Sequence, residues 1–410
     1  MFDLDKWQEI FSTISKNKLR TFLTGFSVAW GIFMLIILLG SGNGLQHGAE
    51  NQFAGDAVNS IWINPGQTAL PYQGYKPGRD IRLQNSDLED IGQNIDGIYN
   101  LSARKYLYGN KMATYKDKAG SFDVLGCHPG EKAAEQIQIL GGRFVNQLDV
   151  NEGRKIACLG RDMKVELFGD QDPLGKYINI NGIPFKVVGW YMDDGGERDV
   201  RRAWVPISTH QRVFGRPNRI DRIVMTTGDA TVEEANAIVS ELRSRLSNRL
   251  HFDENDQRAV FISNRAEHFQ KFADLFLGIR LFVVFIGLGT ILAGVVGVSN
   301  IMMIVVKERT KEIGIRKAMG ATSGSIISLI MQESIFITTI AGYIGLTLGV
   351  LLLEMVGGLI QGNDYFQNPE VDLPTAIYAT LALIIAGSIA GLIPALRASK
   401  IEPVIALRED

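Results

Sequence analysis

Few residues in this chain have the type and spacing of a reacting group. Gly169, Gly175 and Lys176 resemble a phosphate-cradling loop. The glycine spacing is one residue too long, however, neither Ser nor Thr follows the lysine, and a hairpin rather than a helix comes next. Asp193, Asp194 and Glu197 could offer oxygens to a cation but read more simply as a solvated acidic loop. The five histidines are scattered, without paired-ligand spacing, and no Gly-x-Ser-x-Gly elbow occurs. Cys127 and Cys158 make at most one disulfide and match no zinc pattern; a disulfide and two packed thiols both stay open. The sequence therefore points to no catalytic residue, metal site or cofactor site of its own.

Charge placed against apolar runs is more informative. Residues 306–333 begin where one long apolar segment ends and stop where the next begins. They hold Lys307, Glu308, Arg309, Glu312, Arg316 and Lys317 around Ile313, with Gly314 and Gly320 permitting tight turns or close backbone approach. This pattern suits a short amphipathic segment on a membrane surface. A solvated basic loop that only sets topology is the simpler alternative.

The elements that must hold this segment follow from hydropathy. Over 410 residues, 42 basic and 44 acidic side chains nearly cancel, which argues against a nucleic-acid binder built on phosphate neutralisation. Apolar residues concentrate in four blocks. Phe2, Leu4, Trp7, Phe11 and Ile14 recur at helical spacing and predict an interfacial amphipathic helix over residues 1–20. Membrane spans are predicted at 21–46, 280–306, 325–356 and 374–396, each long enough to cross a hydrocarbon core at about 1.5 Å per residue. The first is read as an uncleaved span, because no Ala-x-Ala site follows it. Glu333 and Glu354 are placed at headgroup level, at the ends of the third apolar run. Glycines such as Gly287, Gly289, Gly345 and Gly349 fit either close helix contact or the ordinary glycine content of membrane helices.

Basic residues before the first span, between the second and third, and after the fourth put those loops in the cytoplasm. A coupling loop at 307–324 and a tail at 397–410 then lie inside. Residues 47–279 and a short acidic loop at 357–373 lie outside. The outer block reads as α+β: strands at 60–64, 155–159, 177–180, 185–190 and 259–262, and helices at 85–95, 161–168 and 232–248. Asn181-Gly182 marks a hairpin, and Ser86–Glu89 supply a helix-capping pattern. Helices at 45–52 and 268–280 prolong the first two spans outward as a two-helix stalk, including His268, Phe269, Phe272 and Ala273.

Several motifs carry a family likeness. Lys307-Glu308-Arg309 followed by Glu312 through Ala321, including Met319, resembles the FtsX-like permease domain. So do Gly391 through Ala395, Pro403 through Arg408, and Asn17 through Thr24. Gly141 through Phe144, Leu159-Gly160 and Val187 through Gly189 resemble the extracytoplasmic core of MacB-type transporters. The resemblance implies a membrane protein with four transmembrane helices and a large outer domain, porter-like with a second part inserted at about 105–214. It also implies a homodimeric or heterodimeric permease of mechanotransmission type in the inner membrane, both termini cytoplasmic. ATP and Mg would be bound by a separate ATPase subunit, since the sequence shows no phosphate loop and nothing precedes the interfacial helix. Lys307, Glu308, Arg309, Glu312, Ile313, Gly314, Arg316, Lys317, Met319 and Gly320 would face that ATPase. Export of a periplasmic drug or peptide, with an adaptor and an outer-membrane channel, is the expected function. Switching of a cell-wall hydrolase and lipoprotein release are the alternatives.

Overall fold

A computed structural model of the chain describes residues 18–53, 57–193, 195–360 and 368–402. The interfacial helix expected over 1–20 falls almost wholly outside them, as do Asp194, the middle of the outer loop and most of the tail. In order, the elements are α1 (Lys18–Phe53), β1 (Ser60–Pro65), β2 (Leu83–Gln84), α2 (Asn85–Asn94), β3 (Tyr99–Tyr106), β4 (Met112–Tyr115), β5 (Lys118–Ser121) and β6 (Asp123–Cys127). Then come α3 (Glu131–Ala134), β7 (Gln138–Gly142), α4 (Gln147–Glu152), β8 (Ile156–Gly160), α5 (Arg161–Phe168), β9 (Tyr177–Ile180), β10 (Ile183–Met192) and α6 (Glu197–Val200). β11 (Arg202–Pro206), α7 (Ile207–Val213), β12 (Arg219–Ile220), β13 (Arg222–Thr226), α8 (Val232–Leu250) and β14 (Val260–Asn264) complete the outer part. Four helices end the chain: α9 (Arg265–Glu308), α10 (Thr310–Ala318), α11 (Ser323–Leu359) and α12 (Leu373–Ser399).

Two compact units result: one from residues up to Ala49 together with Asp274 onward, the other from Glu50–Ala273. The second is built on a 12-stranded sheet in the order β14-β1-β13-β3-β6-β11-β8-β10-β9-β4-β5, with β7 also on β10. Alternation along its central strands feeds two cores. Leu125, Cys127, Ile156, Cys158 and Trp204 enter one cluster with Ile61, Ile223 and Leu242. Their neighbours Val124, Ala157, Leu159, Ala203 and Val205 enter another with Phe122, Met163 and Phe185. Asn181 and Gly182 turn the β9–β10 hairpin with φ of 49° and 87°, the geometry that twist-matched hairpins require.

The cap of α2 differs from expectation. The helix starts at Asn85, and Asp87 reaches back to accept from the Gln84 backbone N at 2.7 Å, so the box closes on Gln84 rather than on Ser86. Cys127 and Cys158 are free and buried. β11 lies between their strands, which puts the two about 10 Å apart at the usual strand spacing. That exceeds disulfide reach, about 7 Å between Cα atoms.

In the other unit, three helices are long and apolar enough to cross a membrane: Thr21–Ala49 within α1, Arg265–Glu308 and Ser323–Leu359. The fourth, α12, has 27 residues, of which Ile385–Ser399 forms the apolar stretch among the described residues. Of the four expected spans, three are matched among the described residues by helices of sufficient length and apolarity, and the fourth by a shorter apolar stretch. The glycines divide between the two readings. A Cβ on Gly345 would lie 2.3 Å from the Ala29 carbonyl oxygen, and one on Gly387 would lie 2.1 Å from Thr338 Oγ1, whereas nothing lies near Gly289. Ser334 Oγ donates to the Gly387 carbonyl at 3.1 Å, joining α11 to α12.

Candidate coupling site

The charged segment folds as a helix between two breaks. α9 stops at Glu308, where Thr310 Oγ1 donates to the Lys307 carbonyl at 2.7 Å and offers the backbone a local alternative to continuing the helix. Arg309 leaves helical geometry at φ −94°, ψ 12°. α10 then runs from Thr310 to Ala318 and ends at Met319 and Gly320. Gly320 takes φ +101°, a value closed to side chains bearing a Cβ. Thr322 caps α11, its Oγ1 accepting from Ser325 N at 3.3 Å.

α10 has an inner and an outer face. Ile313 and Gly314 are buried, Ile313 against Met302, Val306, Ile326 and Ile330. Gly314 is buried within the helix and makes no turn, which leaves close backbone approach, the other of its two expected uses. Arg309 grips Glu312 twice, at 3.0 Å from both Nε and Nη2, and reaches Glu333 on α11 at 3.2 Å. Arg316 donates to Glu312 at 2.8 Å. Lys317 Nζ donates to the Ser399 and Ile401 carbonyls at 2.7 and 2.9 Å, at the end of α12.

Glu333 lies ten residues inside α11 and is only 4% exposed; Arg309 supplies the opposite charge that makes its burial tolerable. Of the ten residues expected to face a partner, Lys307, Glu308, Met319 and Gly320 are exposed, Met319 at 77%. Ile313, Gly314, Arg309 and Lys317 turn instead to the chain's own helices. Beside Met319 lies a cavity of about 460 Å³ lined by Arg316 and Ala321, both within the motif, and by Ser325, Leu329 and Gln332, which charge and motif alone did not single out.

His268, Phe269, Phe272 and Ala273 lie in the first turns of α9 and are exposed. α9 runs unbroken from there to Glu308, and α1 continues to Phe53, so both outward prolongations exist as helices. Arg280 on α9 donates to Gln46 Oε1 on α1 at 3.2 Å.

The outer unit holds a second charge cluster that sequence reading missed. Arg104 lies between Trp62 and Trp204, 4.8 and 5.2 Å from the ring centres. It pairs with Glu131 and, at 2.6 Å, with Glu135, which Arg202 also binds at 3.1 Å. Burial works against the Arg104 charge, yet the two glutamates hold its pKa well above the ordinary value. Burial pushes Glu131 up; Glu135 is also buried, but its two arginine partners hold it below the usual range. Burial lowers His128 and His210 to about 4 each. The loop from Gly169 to Lys176 leads into strand β9.

The model of the MacB-like periplasmic core domain matches residues 21–242, and that of the FtsX-like permease C-terminal part matches residues 284–403. The chain is 28% identical over 405 residues to the macrolide export ATP-binding/permease protein MacB of Bdellovibrio bacteriovorus, covering 98% of this chain and 61% of that protein. It is 27% identical over 401 residues to the pyoverdine export ATP-binding/permease protein PvdT of Pseudomonas entomophila, covering 96% and 58%. The chain thus spans about three fifths of the length of these relatives. Among solved structures, the periplasmic region of MacB from Actinobacillus actinomycetemcomitans aligns with a TM-score of 0.44 at 19% identity, over 53% of this chain and 94% of that one.

Proposed function

The chain belongs to the family that joins a MacB-like periplasmic core domain to an FtsX-like permease part, and from that premise we propose that it is the permease subunit of an ABC transporter driven by a separate cytoplasmic ATPase. Its membrane part crosses the inner membrane four times, with α12 as the last span and both ends inside, in keeping with the distribution of basic residues. ATP-driven closure of the ATPase pushes on α10, and the movement reaches the outer domain along α9 and α1. The work done there is export of a periplasmic substrate by a dimer of permeases, with an adaptor and an outer-membrane channel. Two of its relatives are named for macrolide and pyoverdine export.

One observation carries the reading. α10 is a folded helix, not a solvated loop, and it ends in an exposed methionine beside a cavity. A surface methionine is an adaptable docking group. The test is M319E in the full chain, purified from its own host by an affinity tag. Loss of the copurifying ATP-binding protein, with the permease still folded and in the membrane, supports the assignment. Unchanged copurification and unchanged ATP turnover contradict it.

A further inference from the structure

Two side chains of α10 that resemble partner contacts are spent on the chain itself. Arg309, at the entrance to α10, bonds Glu333, 24 residues away on α11. Lys317, in its last turn, bonds two carbonyls 82 and 84 residues away, on the last residue of α12 and two residues beyond it. Between these ends Ile313 is buried against Ile326 and Ile330. We propose that Lys317 and Arg309 are positioning residues that bolt α10 at both ends, to α12 and to α11, so that the three helices move as one piece. Its functional weight rests on the reading of α10 as the ATPase-facing helix; the bolting itself does not.

The chemistry of each anchor suits a fastening. The last carbonyls of a helix lack intrahelical donors and carry partial negative charge, so an ammonium there meets both needs at once. Lys317 meets one such acceptor, the Ser399 carbonyl, and a second carbonyl, of Ile401, just beyond the helix, an arrangement that tolerates little sideways slip. Arg309 is forked and reaches Glu312 on its own helix and Glu333 on the next, which fixes the break at the α9 end. A helix held at one end pivots about it. Held at both ends, with an apolar residue seated between, it has no free pivot. A push on Met319 is then delivered to α11 and α12 together.

The test uses electron–electron distance measurements on the full chain in lipid nanodiscs, spin-diluted with unlabelled chain, with Cys127 and Cys158 replaced by alanine. One label pair, at Ile315 on α10 and Leu381 on α12, reads the bolt. A control pair, at Leu351 on α11 and Ile393 on α12, reads the α11–α12 pair without α10. All four positions are exposed. The parent should give a narrow 315–381 distribution. K317A should at least double its width and leave 351–393 unchanged, K317R should restore it, and E333Q should broaden it less than K317A. An unaffected width in K317A overturns the proposal, as does equal broadening of both pairs, which would mark general loosening. Because the chain is measured alone, failure here leaves the ATPase assignment to the copurification of the M319E variant.

Discussion

The two charge clusters make an instructive pair. In the outer unit, Arg104, Glu131, Glu135 and Arg202 lie sealed between tryptophans, with Glu131 fully buried. In the membrane unit, Arg309, Glu312 and Glu333 lie at a helix break, and Glu312 is 43% exposed at its side chain. Both clusters combine arginine with two glutamates. The first is enclosed in its fold, reaching the surface only where Arg202 pairs with the partly exposed Asp199. The second fastens a helix whose far side is open. Buried charge is thus common to both regions; what distinguishes the second is the exposed helix face beside it.

The largest expected effect tests the first half of that contrast. R104A should lower the stability of the outer unit by about 3–5 kcal/mol, because it strands two buried carboxylates. Urea unfolding followed by the fluorescence of Trp62, Trp190 and Trp204 would show it; a loss under about 1 kcal/mol would break the comparison. Acid should act on the same unit through histidine. His128 and His210 stay neutral in the fold down to about pH 4, while the unfolded chain takes up their protons near 6.5. Their contribution is therefore complete above pH 6.5 and falls away between 6.5 and 4, by about 2 kcal/mol each at pH 5. The same unfolding experiment across that pH range checks the sign, and H210F should remove about half of the slope.

E333Q tests the second half. Its charged hydrogen bond to Arg309 is worth about 1–3 kcal/mol, and Arg309 keeps Glu312, so thermal unfolding of the membrane unit should shift less than the outer unit does in R104A. Smallest in stability is M319E, within about 0.5 kcal/mol as for an ordinary surface change, yet it should cost the ATPase. A variant neutral for folding and severe for association is the outcome that sharpens the contrast most.

How far this was legible in the sequence follows from the range of the signals. Local patterns were readable: the Asn181-Gly182 hairpin, the helix at 232–248, found as α8, and the coincidence of α5 with residues 161–168 all depend on neighbours in the chain. The charged segment was recognisable as a unit for the same reason. Its division into faces was not, because the partners of Arg309 and Lys317 lie 24 and more than 80 residues away. The burial of Glu333 was not readable, because a lone glutamate at the edge of an apolar run looks like a boundary until its arginine is found. The Arg104 cluster was invisible, since its members come from β3, from α3 and the residue after it, and from β11, which are far apart in the chain.

The central claim is that the open side of α10 receives an ATP-binding partner. The most direct measurement places a photo-crosslinking amino acid at Met319 in living cells and identifies the adduct by mass spectrometry. The account predicts one dominant adduct, with an ATP-binding cassette protein, that disappears when the crosslinker is moved to buried Ile313. Adducts confined to lipid, or to copies of this chain, would contradict it.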